Sequence, residues 1–471
     1  MSNTELPPLR KGTEQIVKIE SLAYGGRGIG RVRDFVIFVD KGLPGQTVKI
    51  LLYRKRKGYG EGRILEVLQE SPAVEKPVCL HFGICGGCKL QHLQYKVQVE
   101  QKRLQVEDSL RRIAGLADFR ITAVIPADPI YAYRNKMEFT LSNRRWVTTE
   151  EPEGAPRDFA LGLHIPGRFD KVLDIEACHL QPEIGNTILR VVREIALEKG
   201  LKPYDPKTHI GFLRHLVLRY GLRTQETMVN LVTSYENLEL LEPVITGLKT
   251  QVPEVTSIVN NINTRRGDTA YGEREILLHG EPYIREKIGD LTFHISANSF
   301  FQTNSLQAER LYEAVRSAAR LTGSETVYDL YCGAGTIGLN LAREAREVIG
   351  LEIAPSSVDN ARTNAELNGI ENARFIRANL DTYFGASRKI GPRPAVVTVD
   401  PPRVGMHANT VKALVSLRPP RIVYVSCNPT TLARDVQGLI HGGYALVQTT
   451  MVDMFPHTAH IETVTELVLQ S

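Results

Sequence analysis

The sequence predicts an α/β protein that ends in a doubly wound parallel sheet, preceded by a β-rich central region and a small barrel. Three observations indicate this. From about residue 286, β-type and α-type segments alternate. The loop GAGTIG (333–338) follows an apolar strand, as in nucleotide-binding sheets. Residues 12–70 read instead as short strands separated by glycine-rich turns.

The composition is that of an ordinary globular protein with several domains. A chain of 471 residues is too long for one core, and 42% hydrophobic with 24% charged residues is a usual balance. The first residues, MSNTELPPLRKG, are polar, so we expect no secretory signal. No apolar run reaches the ~18–20 residues that a bilayer span needs. We therefore expect a cytoplasmic protein, acting as a monomer.

The N-terminal segment 12–70 predicts a barrel of the OB type with a basic surface. Residues 49–63 hold six Lys or Arg and one acid. Such a run protects an exposed edge strand from pairing, or it binds the phosphates of a nucleic acid. The segment by itself favours neither interpretation.

A cluster of cysteines follows the barrel and indicates a metal site. Cys79, Cys85 and Cys88 lie within ten residues, among glycines that allow a wrapping loop. Disulfides are improbable in a reducing cytoplasm. Three close thiols and a remote fourth, for which Cys178 is the candidate, match a four-thiolate iron–sulfur cluster better than zinc, which stays as the alternative.

The glycine loop 333–338 predicts a nucleotide-type cofactor at the carboxyl edge of the sheet. Glu352, at the end of the next strand, is placed to bind ribose hydroxyls. Dehydrogenases share this pattern, so a dinucleotide-dependent oxidoreductase is one hypothesis. Asp329 just before the loop would repel a pyrophosphate, and it suits a cationic nucleoside such as S-adenosylmethionine.

Two further strands end in residues that carry chemistry. Asp400 is followed by Pro401 and Pro402, which hold the backbone rigid, so we favour a ligand role over a plain solvated turn. Cys427 ends the strand RIVYVSC. Because the carboxyl ends of parallel strands share one edge, one crevice can hold Glu352, Asp400 and Cys427.

Cys427 is either a buried inert thiol or a nucleophile. A helix predicted to begin just after it would lower its pKa and favour the thiolate. Thiolates add to C6 of uracil, which turns C5 into a carbon able to attack a methyl sulfonium. A base must then remove the C5 proton. Glu462, in FPHTAHIET, is the candidate base, and a surface acid at the start of a strand is the alternative.

Together these segments resemble the RNA uracil-5-methyltransferase family, in particular its iron–sulfur ribosomal RNA branch. The motifs are YRNK, FFQTN, YDLYCGAGTIG, VDPPR, SCNP and HTAHIE. The resemblance implies a TRAM barrel at 12–70, a central β-rich domain with a [4Fe-4S] cluster at 71–285, and a Rossmann-like methyltransferase domain at 286–471. It also implies RNA contact by the barrel. Two departures, Thr336 for asparagine and Ala459 for glycine, are expected to change little.

The resemblance also implies a role for individual residues. Cys427 would be the nucleophile and Glu462 the general base. The implied contacts to S-adenosylmethionine are Gln302, Tyr331, Thr336, Glu352, Asn379 and Asp400, and the implied contacts to RNA are Phe300 and Arg134.

Our leading hypothesis is therefore methylation of C5 of a uridine in RNA, with large-subunit ribosomal RNA as the expected substrate. The alternatives are transfer RNA as substrate, the oxidoreductase, and a non-catalytic RNA-binding scaffold. The sequence does not identify the target uridine.

Overall fold

The computed structural model describes residues 9–380 and 391–470, so the expected last residue of the C-terminal domain, 471, lies outside them. The described strands form a closed barrel, an eight-stranded central sheet, a two-stranded hairpin and a second eight-stranded sheet. No helix within the described ranges is long and apolar enough to cross a bilayer.

The N-terminal barrel has five strands in the order β1-β2-β3-β5-β4, which confirms the prediction. Alternate residues along β1, β2, β3 and β4 point inward, and Val17, Ile37 and Ile50 are fully buried in the barrel core. The strands are β1 (Glu14–Leu22), β2 (Gly28–Val32), β3 (Phe35–Asp40), β4 (Thr47–Lys55) and β5 (Tyr59–Gln69).

The central sheet has the order β14-β13-β12-β11-β7-β9-β10-β8. Two helices pack against it and against each other, and these interrupt the β-rich pattern expected from the sequence. The elements are β7 (Lys136–Ser142), β8 (Arg145–Trp146), β9 (Ala160–His164), β10 (Val172–Asp174), α2 (Glu183–Glu198), β11 (Leu213–Gly221), β12 (Glu226–Thr233), α3 (Leu238–Gln251), β13 (Ser257–Ile262) and β14 (Arg274–Gly280).

The C-terminal sheet has the order β19-β18-β17-β20-β21-β23-β22-β6, with β17 to β21 parallel and β23 antiparallel to its neighbours. Its strands are β17 (Thr326–Leu330), β18 (Glu347–Glu352), β19 (Ala373–Arg377), β20 (Val396–Val399), β21 (Arg421–Ser426), β22 (Tyr444–Val452) and β23 (Glu462–Leu469). This is the doubly wound sheet that the alternation predicted.

Helices cover both faces of this sheet. A hairpin of β15 (Tyr283–Ile288) and β16 (Leu291–Ser296) leads into the first of them. One face buries α4 (Ser305–Ala319), α5 (Thr336–Ala342) and α6 (Pro355–Leu367), and the other buries α1 (Tyr95–Arg112), α7 (Ala408–Leu417) and α8 (Pro429–His441).

Two elements from the expected central domain belong to the C-terminal sheet. β6 (Ile121–Ile125) is the edge strand beside β22, and α1 packs against α8. The segment after the cysteine loop therefore folds with the C-terminal sheet before the chain enters the central sheet.

Candidate active site

The strand order brings the predicted residues to one edge of the C-terminal sheet. β17 lies between β18 and β20, so the winding reverses there and leaves a crevice beyond the strand ends. Glu352 ends β18, while Tyr331, Asp400 and Cys427 directly follow β17, β20 and β21. These four residues therefore lie along the carboxyl edge of the parallel strands, where the sequence predicted a crevice.

Cys427 and Glu462 lie at the same end of the antiparallel β21–β23 ladder. Ser426 pairs with Thr463 in the β21–β23 ladder, so the residue after Ser426 lies opposite the residue before Thr463. Cys427 is half-buried, and Glu462 is only 5% exposed. Strand pairing thus brings together two residues that are 35 positions apart in the sequence.

The helix start after Cys427 was expected to lower the pKa of its thiol, and other groups act on this pKa as well. Asn428 caps α8, accepting a hydrogen bond from the Thr430 amide at 3.0 Å, so Cys427 does precede a helix start. However, burial, Glu462 and Asp400 raise the pKa of the Cys427 thiol to about 12. Burial and the two carboxylates therefore act against the lowering of this pKa that the helix start was expected to cause.

The carboxylates of the site also hold their protons tightly. Burial and Asp400 raise the pKa of Glu462 well above its usual range. Burial and Asp329 raise the pKa of Asp400 to about 7. Arg403 acts in the opposite direction on both Cys427 and Glu462. A cation entering this crevice would favour the charged forms of all three acids.

Asp329 holds the floor of the crevice together. Its carboxylate is fully buried and accepts hydrogen bonds from the Gly338 amide at 2.9 Å and the Thr398 hydroxyl at 2.7 Å. It thereby joins the glycine loop to β20. Burial raises the pKa of Asp329 to about 6.

The glycine loop is shaped by backbone that favours glycine. Gly333 and Gly335 have φ of +53° and +81°, and a Cβ on Gly335 would lie 2.8 Å from the Phe375 ring. Glu352 accepts a hydrogen bond from the Gly333 amide at 3.2 Å, which closes the loop against β18. Tyr331 also has a positive φ, +61°, where the chain turns out of β17.

Three more predicted cofactor residues lie at the same end of the sheet. Thr336 is the first residue of α5, and its hydroxyl accepts a hydrogen bond from Tyr312 at 2.9 Å. Asn379 follows β19. Gln302 lies in the loop before α4, where the Asn135 side chain donates to the Gln302 carbonyl at 2.9 Å. In the same loop, Phe300 is 60% exposed.

The four predicted cluster cysteines surround one cavity of about 340 Å³. Cys178 is brought there from the central domain. Burial and the neighbouring cysteines raise the pKa of Cys85 to about 11 and that of Cys88 to about 12. Among the described residues, no three His, Cys, Asp or Glu side chains lie close enough to hold a single metal ion.

Thiolates are ligands of both an iron–sulfur cluster and zinc, and the two groups differ in how their ligands are arranged. A cubane binds each thiolate through a different iron, so its ligands stand around a space, whereas zinc draws all four onto one atom. Arg134 lines this cavity too, and so does Thr303 of the loop that carries Gln302. The cavity therefore adjoins the segment expected to contact cofactor and RNA.

Sequence reasoning left two residues of the crevice without a role. Arg403 was part of the VDPPR motif, and its carbonyl accepts hydrogen bonds from Asn428 and Thr431 of α8. Tyr24 belongs to the barrel, and its hydroxyl donates to the Cys427 carbonyl at 3.3 Å. The motif gave a signal for Arg403, whereas Tyr24 lies 403 residues from Cys427 and no local pattern marks it.

Comparisons with known proteins agree with this arrangement. Residues 273–470 match the family model described as tRNA (Uracil-5-)-methyltransferase, and residues 8–65 match the TRAM domain. An uncharacterized RNA methyltransferase of Chlorobaculum tepidum is 44% identical over 428 residues, 89% of each chain. Another, of Halalkalibacterium halodurans, is 39% identical over 98% of this chain and 99% of its own.

A solved structure shows the same arrangement of domains. The tRNA (uracil-54, C5)-methyltransferase of Pyrococcus abyssi, in complex with S-adenosyl-L-homocysteine, is 31% identical to this chain. The match has a TM-score of 0.73 and covers 96% of this chain and 100% of the other. The barrel, the strand-end crevice and these likenesses agree, and the chain belongs to the RNA uracil-5-methyltransferase family with an N-terminal TRAM domain.

Proposed function

We propose that this protein transfers a methyl group from S-adenosylmethionine to C5 of a uridine in RNA, with Cys427 as the nucleophile and Glu462 as the general base. The observation that carries the proposal is that the β21–β23 ladder ends at the pair Ser426 and Thr463, so Cys427 and Glu462 lie at the same end of it. A thiol and a carboxylate at one buried point can add to a pyrimidine and then remove its proton.

The first step is addition of the Cys427 thiolate to C6 of the uracil. The Sγ–C6 bond forms as the C5–C6 double bond opens, and the electron pair moves to C5 and the neighbouring carbonyl. S-adenosylmethionine supplies the methyl group as a sulfonium cation, leaving S-adenosylhomocysteine. Glu462 then takes the C5 proton, the C5–C6 double bond re-forms, and the Sγ–C6 bond breaks.

The cofactor crevice suits a cationic ligand. Asp400 and Glu352 bring carboxylates to the strand ends, and burial together with Asp329 raises the pKa of Asp400 to about 7. We assign Gln302, Tyr331, Thr336, Glu352, Asn379 and Asp400 to the cofactor. Positive charge there would favour the ionised forms of Cys427 and Glu462, which both steps require.

Covalent trapping tests the mechanism. RNA containing 5-fluorouridine has no proton to lose at C5, so incubation with cofactor is expected to leave a stable protein–RNA adduct. Cys427→Ser should abolish this adduct, and Cys332→Ala, which removes the other thiol of the C-terminal sheet, should not. Absence of an adduct with the wild-type protein, or its persistence in Cys427→Ser, contradicts the proposal.

We further propose a [4Fe-4S] cluster held by Cys79, Cys85, Cys88 and Cys178, because these thiols surround one cavity. The methyl transfer needs no redox chemistry, so the cluster would hold the cysteine loop against the central domain and position Arg134 near RNA. An anaerobic preparation should be brown and contain four irons per chain. A colourless protein with stoichiometric zinc would overturn this assignment.

The expected substrate is large-subunit ribosomal RNA, which rests on the resemblance to the iron–sulfur branch. The second candidate is transfer RNA, favoured by the solved relative that modifies uridine 54 of tRNA. Mass mapping of 5-methyluridine in both RNA classes from cells lacking the gene distinguishes them by which modification disappears. Location in the cytoplasm and action as a monomer stay predictions.

A further inference from the structure

The turn between β1 and β2 of the barrel reaches the proposed nucleophile. Tyr24, in this turn, donates its hydroxyl to the Cys427 carbonyl at 3.3 Å. The Tyr24 pKa is raised first by burial and then by Cys427 and Glu462, while Arg403 lowers it. Its phenol is therefore within electrostatic range of three ionisable side chains of the crevice, those of Cys427, Glu462 and Arg403.

The rest of the turn is fastened beside the same crevice. The Lys89 ammonium donates to the Gly25 carbonyl at 3.2 Å. Gly26 has φ +88°, and a Cβ placed on it would lie 3.5 Å from Cβ of Ala459, in the loop before Glu462. The turn, here residues 23–27, thus packs between the residues that follow Cys88 and the loop that precedes Glu462.

We propose that the barrel turn is part of the active site and that Tyr24 is a positioning residue for Cys427. Its hydrogen bond fixes the carbonyl of Cys427 at the end of β21, and so the direction in which the thiol meets the uracil ring. The inference rests on the proposed function and deepens it, since it makes the seating of the barrel a requirement for methyl transfer and not only for RNA affinity.

A covalent step is sensitive to small errors in the direction of attack, so a fixed backbone at the nucleophile favours the rate. The alternative is a purely structural role, in which Tyr24 only holds the barrel against the rest of the protein. In that case its hydroxyl would affect stability or RNA binding, and it would leave the chemical step unchanged.

The test compares Tyr24→Phe with wild type in the full-length holoprotein. One neutral hydrogen bond of this kind corresponds to about a two- to tenfold change in rate. We expect that loss in kcat and in the single-turnover rate of adduct formation with 5-fluorouridine RNA. KM and the equilibrium affinity for RNA should stay within about twofold. Tyr24→Ala should lose at least as much rate.

Tyr235→Phe is the matched control, because Tyr235 is exposed to a similar degree (47% against 37%) and belongs to the central domain. It should behave as wild type. The inference is overturned if Tyr24→Phe keeps the wild-type rate of adduct formation, or if only its RNA affinity falls. A wild-type protein that forms no adduct would instead remove the proposed function itself, so the two failures are distinguishable.

Discussion

Glu462 opposes ionisation of Cys427, and Asp400 opposes ionisation of both residues. Burial adds to each effect, because it makes the charged form of either side chain costly. A base with a raised pKa accepts a proton more readily once it is ionised, which suits removal of the C5 proton. Arg403 is the nearby cation that partly offsets both shifts.

Glu462→Gln should therefore have two opposite effects. Turnover should fall by a factor on the order of 10²–10⁴, and a methylated Cys427–RNA adduct should accumulate, because the C5 proton stays. Thiol reactivity should rise, since a neutral amide no longer opposes the thiolate. The iodoacetamide alkylation curve of Cys427 should move to lower pH. Both are measurable, on denaturing gels and by mass spectrometry.

The exposed Glu371 provides a control for this change. Glu371→Gln should match wild type in both measurements. An alkylation curve that moves to higher pH in Glu462→Gln, or turnover within a few-fold of wild type, would contradict the assigned roles.

At the scale of elements, α1 and the segment after β22 are joined by a buried ion pair. The Lys102 ammonium donates to Asp453 at 2.7 Å and to the Phe455 carbonyl at 3.0 Å, and both charged side chains are at most 1% exposed. Tyr95 donates to the second oxygen of Asp453 at 2.8 Å. These bonds attach α1 to the start of the loop that leads to Glu462.

Three further hydrogen bonds attach this loop to the residues that follow Cys88 and to α1. The amides of Lys89 and Leu90 both donate to the His457 carbonyl, at 2.8 and 3.0 Å. The Gln98 side chain accepts from the His457 amide at 3.0 Å. The position of the proposed base therefore depends on residues that precede the central sheet in the sequence.

Lys102→Met should lower the free energy of unfolding by about 3–5 kcal/mol, because Asp453 is left buried without its partner charge. Urea denaturation measures this. Lys96→Met, on an exposed position of the same helix, should stay within about 0.5 kcal/mol of wild type. The double change Lys102→Met with Asp453→Leu should recover much of the loss, and a single-variant loss below about 1 kcal/mol would contradict the ion pair.

On the scale of the whole molecule, the cysteine cavity joins the loop that follows the barrel to the central domain. Three of its thiols precede α1, and Cys178 precedes α2. The cavity also borders Thr303 of the loop before α4. A group bound there would tie three regions together, and its binding free energy would add to the stability of the fold.

Cys178→Ser should therefore lose bound iron and visible absorbance, and it should melt at a lower temperature than wild type under anaerobic conditions. Cys332→Ala is the control, since Cys332 lies outside this cavity and should leave the iron content unchanged. Full iron content in Cys178→Ser would show that the fourth ligand is a different residue.

The sequence by itself determined the class of the fold and the strand ends at which the candidate site residues lie. Strand and helix periods identified the barrel and the doubly wound sheet, and strand-end motifs marked Glu352, Asp400 and Cys427, because these signals are local in the chain. The helices α2 and α3 were missed within the β-type region, although the apolar spacing of Ile188, Val192 and Ile195 along one face of α2 is a helical signal in the sequence.

Only the tertiary structure decided which residues become neighbours in space. Strand pairing sets Cys427 opposite Glu462, and the packing of the barrel brings Tyr24 to the same point. It also set the electrostatic surroundings of Cys427. A helix start after Cys427 is visible in the sequence, but burial and the carboxylates that end other strands raise the pKa of the Cys427 thiol. The physical reason is that desolvation and charge proximity depend on distance in space, which the order of residues does not contain.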